Sequence, residues 1–124
     1  MCVTGGNHVI RKITPDGVVT TFAGSGTPSS VDGTGTAASF FAPSGIAIDS
    51  SGDFYVAEFA GSVIRKVTSA GVVTTIAGSA GNAGTTDGAA SAARFATPFG
   101  IAVDSSGQVF VSQLTAATIR KISY

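Results

Sequence analysis

Apolar residues fall in short runs along the chain, and glycine, proline, aspartate and serine cut between the runs before any reaches helical length. Runs of this kind, rich in β-branched residues, predict strands. Val9–Thr14 is followed by Pro15-Asp16-Gly17, where proline presets φ for a tight turn and glycine supplies the positive φ that closes it, so Val18–Ala23 is predicted to return antiparallel as a hairpin. Gly45–Asp49, Asp53–Glu58, Val63–Thr68 and Val72–Ala77 read as four short strands joined by the turns DSSG, FAGS and TSAG. Gly100–Asp104, Gln108–Gln113 and Thr118–Ser123 supply three more and Met1–Thr4 the tail of another, for an expected ten strands. Thr36–Phe41 is alanine-rich and predicted to make one helical turn before Pro43 ends it.

The runs repeat. PSGIAIDSSGDFY at Pro43–Tyr55 returns 55 residues later as PFGIAVDSSGQVF at Pro98–Phe110. VIRK at Val9–Lys12 and at Val63–Lys66 is matched by TIRK at Thr118–Lys121, and GVVTTFAG at Gly17–Gly24 by GVVTTIAG at Gly71–Gly78. A fixed period of this length marks one supersecondary unit used several times. The connections Gly24–Pro43 and Gly78–Pro98 are long for a compact domain. Both nevertheless carry a glycine-rich run, an Asp-Gly pair (Asp32-Gly33, Asp87-Gly88), an alanine cluster and then Phe40 or Phe95, so each reads as a built part of the unit. Two roles are open for the phenylalanines: plugging between neighbouring units, or covering a sheet edge.

Strand faces set the architecture. Val63–Val67 carries Val63 and Val67 on one face and Ile64 on the other, and Val72–Ala77 divides Val72 and Ile76 from Val73 and Ala77. A sheet with one wet face alternates cleanly, whereas these are apolar on both sides and so call for cover on both. Helices long enough to cover them are absent from the pattern. Radial packing of four-stranded antiparallel sheets around an axis covers both faces, which predicts an all-β protein built of β-propeller blades, with 4 to 8 blades typically closing a ring.

Composition narrows the partners. Seven basic and seven acidic side chains leave a formal net charge of zero, and the three Arg-Lys pairs are spread one per repeat. Nucleic acid and anionic membrane both require clustered positive charge, so neither is expected. The apolar runs are too short and interrupted for a bilayer-spanning helix or a secretory signal, and a soluble chain is expected. Cys2, the single cysteine, forms neither an internal disulfide nor a thiolate metal cage.

The ordered set PSGIAIDSSGDFYVAE, GSVIRKV and GVVTTIAG, followed by PFGIAVDSSGQVFVSQ and TIRKI, resembles the blades of NHL-repeat β-propellers. Departures are Glu58 and Gln113 where that pattern often has Asp, and Phe59–Ser62 and Leu114–Ala117 in place of the Asn-rich turn that Gly6-Asn7-His8 keeps. The resemblance names strands A to D from the axis outward. Residues 1–42 are then a partial blade B-C-D with its loop, 43–97 a complete blade with its loop, and 98–124 a partial blade A-B-C. Beginning and ending in mid-blade, the chain is expected to be a fragment of a longer propeller, an engineered piece or a short gene.

Two blade equivalents cannot close a ring, and a lone chain would expose apolar blade faces and strand edges. The expectation is a homo-oligomer whose blades are completed between chains. Six blades are typical of the resembled family, which favours a homotrimer. Segments 1–14 and 111–124 both encode the end of a B strand and a C strand, so they compete for one place at the junction. Val18, Val19, Thr20, Thr21 and Phe22 of one chain are expected to meet Thr118, Ile119 and Ile122 of another by strand addition. The C-terminal copy is expected to win and the first eight residues to be disordered or displaced.

Candidate chemistry is thin. Asp49 and Asp104 end strand A ahead of Ser-Ser-Gly and read as caps of their turns, with repeated metal ligands as the alternative. Glu58 with Arg11, Arg65 and Arg120 predicts inter-strand ion pairs, the alternative being an arginine that anchors an anionic ligand at a blade interface. His8 reads as a surface turn residue, and no serine or threonine sits in a nucleophile setting. No catalytic residue, metal or cofactor is assigned. The expected function is a non-enzymatic self-assembling scaffold and interaction module that presents a loop face to a protein, peptide or glycan. The alternative is a propeller enzyme of the lyase, lactonase or strictosidine-synthase type, against which strand A offers only Ser44-Gly45-Ile46 and Phe99-Gly100-Ile101 at the channel mouth.

Overall fold

The structure, a computed structural model, describes residues 2–4, 7–89, 92–114 and 117–122. Within them, strands pair antiparallel throughout and form three sheets. The first holds β1 (Cys2–Thr4), β2 (Ile10–Ile13) and β3 (Val19–Ala23) in that order. The second is a four-strand meander of β5 (Pro43–Ile48), β6 (Phe54–Glu58), β7 (Val63–Val67) and β8 (Val72–Gly78), with the two-residue β4 (Gly33–Thr34) added along the outer side of β8. The third runs β9 (Pro98–Val103), β10 (Val109–Gln113) and β11 (Thr118–Ile122). Registers coincide between sheets: Val56 pairs with Arg65 as Val111 pairs with Arg120 and Val3 with Arg11.

Two expectations need correction. The strand count rises by one, because β4 lies inside the first long connection and pairs Gly33 with Val73 and Thr34 with Val72. The helical turn expected over Thr36–Phe41 is a 3-10 turn at Gly35–Ala37, and Ala38 is already extended at φ −83°. It stops there because Ser39 bridges back to Val31, its N–H donating to the Val31 carbonyl at 2.9 Å. In the single chain Cys2–Thr4 ladders to Ile10–Lys12; Met1, Gly5 and Gly6 lie outside the described residues. The alanine-rich turn expected ahead of Phe95 falls partly on Ala90 and Ser91, also outside them.

The two-residue side-chain period sends alternate residues of the middle sheet to opposite faces. Val56, Val67 and Val73 pack with Ile10 and Ala23 of the first sheet, while Tyr55, Ala57, Ile64 and Ala77 pack with Val109 and Val111 of the third. Phe40 fills the first interface together with Ala38, and Phe95 fills the second together with Ala93. Both rings are essentially removed from solvent, so each connection supplies a wedge between two sheets. Burying a phenylalanine in this way stabilises by roughly 1.5–3 kcal/mol.

The inner strands of neighbouring sheets abut. A Cβ on Gly45 would lie 2.5 Å from the Phe99 carbonyl oxygen, which accounts for glycine in the repeated Gly-Ile-Ala of β5. The Ser44 hydroxyl closes the same seam, donating toward the carbonyls of Pro98 at 3.1 Å and Phe99 at 2.9 Å.

Phe40→Ala and Phe95→Ala should each cost about 3–5 kcal/mol. The two clusters share no residue, so the double variant should lose the sum of the single losses to within about 0.5 kcal/mol in urea unfolding.

Candidate functional site

Two features stand out: an arginine at each sheet interface, fully buried in the first and partly in the second, and an apolar end of the blades. Arg65, on β7, has no exposure to solvent. Its Nη1 donates to the Ser39 carbonyl at 2.8 Å and pairs with Glu58 Oε2. Its Nη2 donates to the Val31 carbonyl at 2.9 Å and to Asp32 Oδ1 at 3.0 Å. The guanidinium lies over the Phe40 ring at 5.1 Å from its centroid. Glu58, equally buried on the adjacent strand, uses its other oxygen to accept from Ser30 Oγ and from the Phe41 N–H. Every acceptor except Glu58 comes from the connection, so the arginine fastens that loop onto the blade.

The same device recurs one repeat on. Arg120 Nη1 donates to the Arg94 carbonyl at 3.0 Å and Nη2 to the Thr86 carbonyl at 3.0 Å, Asp87 Oδ1 lies at 2.7 Å, and the guanidinium sits 5.0 Å from the Phe95 centroid. Gln113 stands in for Glu58: its Oε1 accepts from the Ala96 N–H at 3.0 Å and lies 3.3 Å from Arg120 Nη1. Arg11 holds the equivalent place on β2 without the device. Among the described residues it has no carboxylate or carbonyl partner and it is only half-buried, while its Nε, like that of Arg65, is unbonded. The structure thus brings Glu58 to Arg65 and leaves Arg11 alone. The acids that sequence reasoning missed are Asp32 and Asp87, each 33 residues ahead of its arginine, and the constant spacing is the signal that pairs them.

Burial pushes the Glu58 carboxyl above its ordinary value, against the pull of Arg65, Ser30 and the Phe41 N–H. Asp49 and Asp104 go the other way. For Asp49 partial desolvation is outweighed by the N–H groups of Asp53 and Ser51 and by the Tyr55 hydroxyl at 2.9 Å. For Asp104 the Ser106 hydroxyl at 2.7 Å is the largest influence, followed by backbone N–H groups of its turn. Both carboxylates therefore spend their oxygens on their own turns, and among the described residues no three acids, histidines or cysteines converge on a cation site.

The other end of the blades, where Pro43 pairs with Glu58 and Val63 with Gly78, gathers apolar side chains. Phe59 meets Phe99 edge-on with centroids 6.5 Å apart, and Phe41 meets His8 at 5.9 Å. His8 is no free turn residue, since its Nδ1 accepts from the Ala42 N–H at 2.9 Å and links the first sheet to the second. Phe41, Phe99 and Leu114 all reach solvent here.

A four-stranded antiparallel sheet wedged against its neighbours by loop-borne phenylalanines, each under an arginine, is a β-propeller blade. The teneurin NHL domain model matches residues 26–87, and the chain belongs to the NHL-repeat β-propeller family. A protein of unknown function from Bacteroides thetaiotaomicron is 34% identical over 93% of this chain and 30% of its own, with a TM-score of 0.87. An auxiliary nutrient-binding protein from the same organism is 30% identical over 98% of this chain and 34% of its own, with a TM-score of 0.83. Virginiamycin B lyase from Staphylococcus aureus, 18% identical over 95% of this chain and 34% of its own with a TM-score of 0.53, is alike in fold alone. The chain spans about a third of the length of these structures. No curated protein sequence matches it.

Glu58→Gln should leave the loop closed, with stability changed by less than about 1 kcal/mol at neutral pH, because Gln113 performs the same task with an amide oxygen. Glu58→Ala strips a buried guanidinium of a partner and should cost about 3 kcal/mol. The raised carboxyl fixes the pH dependence: its contribution is full below the ordinary 4.5 and is lost as pH rises through the folded-state value. Urea midpoints across that range should fall with rising pH in the wild type and be flatter in Glu58→Gln.

Proposed function

We propose that the chain is a non-enzymatic scaffold and interaction module that closes a propeller ring with further copies of itself, three copies supplying six blades. The observation that carries this reading is the bare outer side of β11. In the middle sheet β7 pairs along that edge with β8, whereas among the described residues β11 ends its sheet, and Ile119 on its face is 70% exposed. Val18 and Val19 at the far side of the first sheet are exposed as well. Unpaired edges and apolar faces at both ends are aggregation hazards that ring closure removes. Because the chain spans about a third of the matched structures, three copies span about one of them.

The reading as a scaffold is supported by where the ionisable groups are spent: Glu58, Asp32 and Asp87 on arginine joints, and Asp49 and Asp104 on turns. The apolar end bearing Phe41, Phe59, Phe99 and Leu114 is the face offered to a protein, peptide or glycan, repeated with the symmetry of the ring. Likeness to a nutrient-binding relative is in keeping with a binding role. Light scattering should give three times the chain mass across the micromolar range; a stable, well-folded monomer there overturns the reading.

A further inference from the structure

We infer that at the junction between copies β11 of one copy displaces β2 of the next, pairs with that copy's β3, and thereby acquires Thr21 as the missing donor of its Asp87–Arg120 joint. This rests on the ring reading above. In the middle sheet the joint has a donor from the outermost strand: Thr75 on β8, opposite Arg65, donates its hydroxyl to Asp32 Oδ1 at 2.9 Å. Among the described residues Asp87 has no such partner, and its side chain is 89% exposed. Beside it, along the outer side of β11, runs a groove of about 630 Å³ lined by Ala77, Asp87, Phe95, Ile119 and Arg120. That groove is the place of an outermost strand.

The chain contains the outermost-strand sequence GVVTT twice, at 71–75, already used by β8, and at 17–21, leading into β3. β3 pairs with β2 in the register that β8 uses with β7: Arg11 faces Thr21, Lys12 faces Thr20 and Ile13 faces Val19, as Arg65 faces Thr75, Lys66 faces Thr74 and Val67 faces Val73. Substituting β11 for β2 therefore sets Arg120 opposite Thr21 and brings the Thr21 hydroxyl to Asp87. Thr21 is exposed in the single chain, and among the described residues no side-chain bond ties it there.

The two competitors for β3 are identical in sequence, Ile-Arg-Lys-Ile at Ile10–Ile13 and at Ile119–Ile122. Ladder bonds and apolar burial are then matched, since Ile119 goes into the site that Ile10 leaves. The arginine decides. Arg11 enters that site with no acceptor among the described residues, and the residue after Thr4, where Glu58 follows Ala57, is a glycine with no side chain to offer. Arg120 arrives already held by Asp87, Gln113 and the carbonyls of Thr86 and Arg94. Exchange replaces a half-buried arginine that has no ion partner among the described residues with one that brings its own acceptors, so it runs toward β11.

The test is disulfide trapping in a Cys2→Ser background, with oligomeric state measured alongside by light scattering. Facing residues on paired strands lie within disulfide reach. Thr20→Cys with Lys121→Cys should, on mild oxidation, link chains into covalent dimers and trimers on a non-reducing gel, while Thr20→Cys with Lys12→Cys should stay reduced in the oligomer. An oligomer in which the second pair locks within one chain and the first does not link overturns the exchange and leaves the ring standing. A monomer overturns both. For the hydroxyl itself, Thr21→Val should weaken assembly about tenfold and have little further effect once Asp87→Asn is present; a neutral Thr21→Val would remove Thr21 from the joint while the cross-link still tests the strand.

Discussion

A guanidinium removed from water is the constraint around which this small structure is arranged. Arg65 is costly to bury, and it is tolerated because Glu58, Asp32 and two backbone carbonyls surround it over the face of Phe40. Satisfying the charge recruits the connection of residues 24–43, which otherwise has little regular structure to hold it. With the loop in place, Phe40 becomes a wedge in the first interface, and the carbonyl of Val31 and the hydroxyl of Ser39 find partners across the loop. Arginine suits the position better than lysine, because a planar fork addresses several acceptors at once where an ammonium is a point charge.

Repetition makes the same physics serve twice, and comparing the copies shows which parts are interchangeable. Gln113 replaces Glu58 and still bridges a loop N–H to the arginine, so the negative charge on that strand is dispensable where an acceptor oxygen is not. Asp87 takes up the ionic role at a more exposed site than Asp32, whose side chain is 53% exposed. The middle sheet, covered on both faces, is the best-buried part of the chain; the flanking sheets each have a face or an edge that ends in solvent. Each interface thus combines apolar area, which is undirected, with a polar joint that fixes the loop's position.

Much of this was legible in the sequence. The strands follow from β-branched runs cut by Asp-Gly and Ser-Gly turns, and the all-β blades follow from apolar residues on both faces of Val63–Val67. What escaped was tertiary in origin. Nothing local to Asp32 or Asp87 ties it to an arginine on a strand 33 residues on, and only the spacing repeated in both copies hints at it. β4 is a glycine and a threonine, too short a run to read as a strand, and it pairs because β8 offers a free edge. The helical turn foreseen at Thr36–Phe41 lost to the bonds of Ser39 and the burial of Phe40. Ala42 and Thr97, at φ 51° and 45°, take left-handed backbone that neither residue favours. Their carbonyls there accept from Phe59 and Leu114.

If the arginine holds the loop, the loop should share the stability of the blade until the arginine is changed. Hydrogen exchange at the amides of Val31, Ser39 and Phe41, compared between wild type and Arg65→Lys, measures this directly. The arginine account predicts wild-type protection close to that of β6 and β7, and exchange about 100-fold faster at these three amides in Arg65→Lys while the strand amides keep their rates. Loop protection that is unchanged in the variant would contradict it.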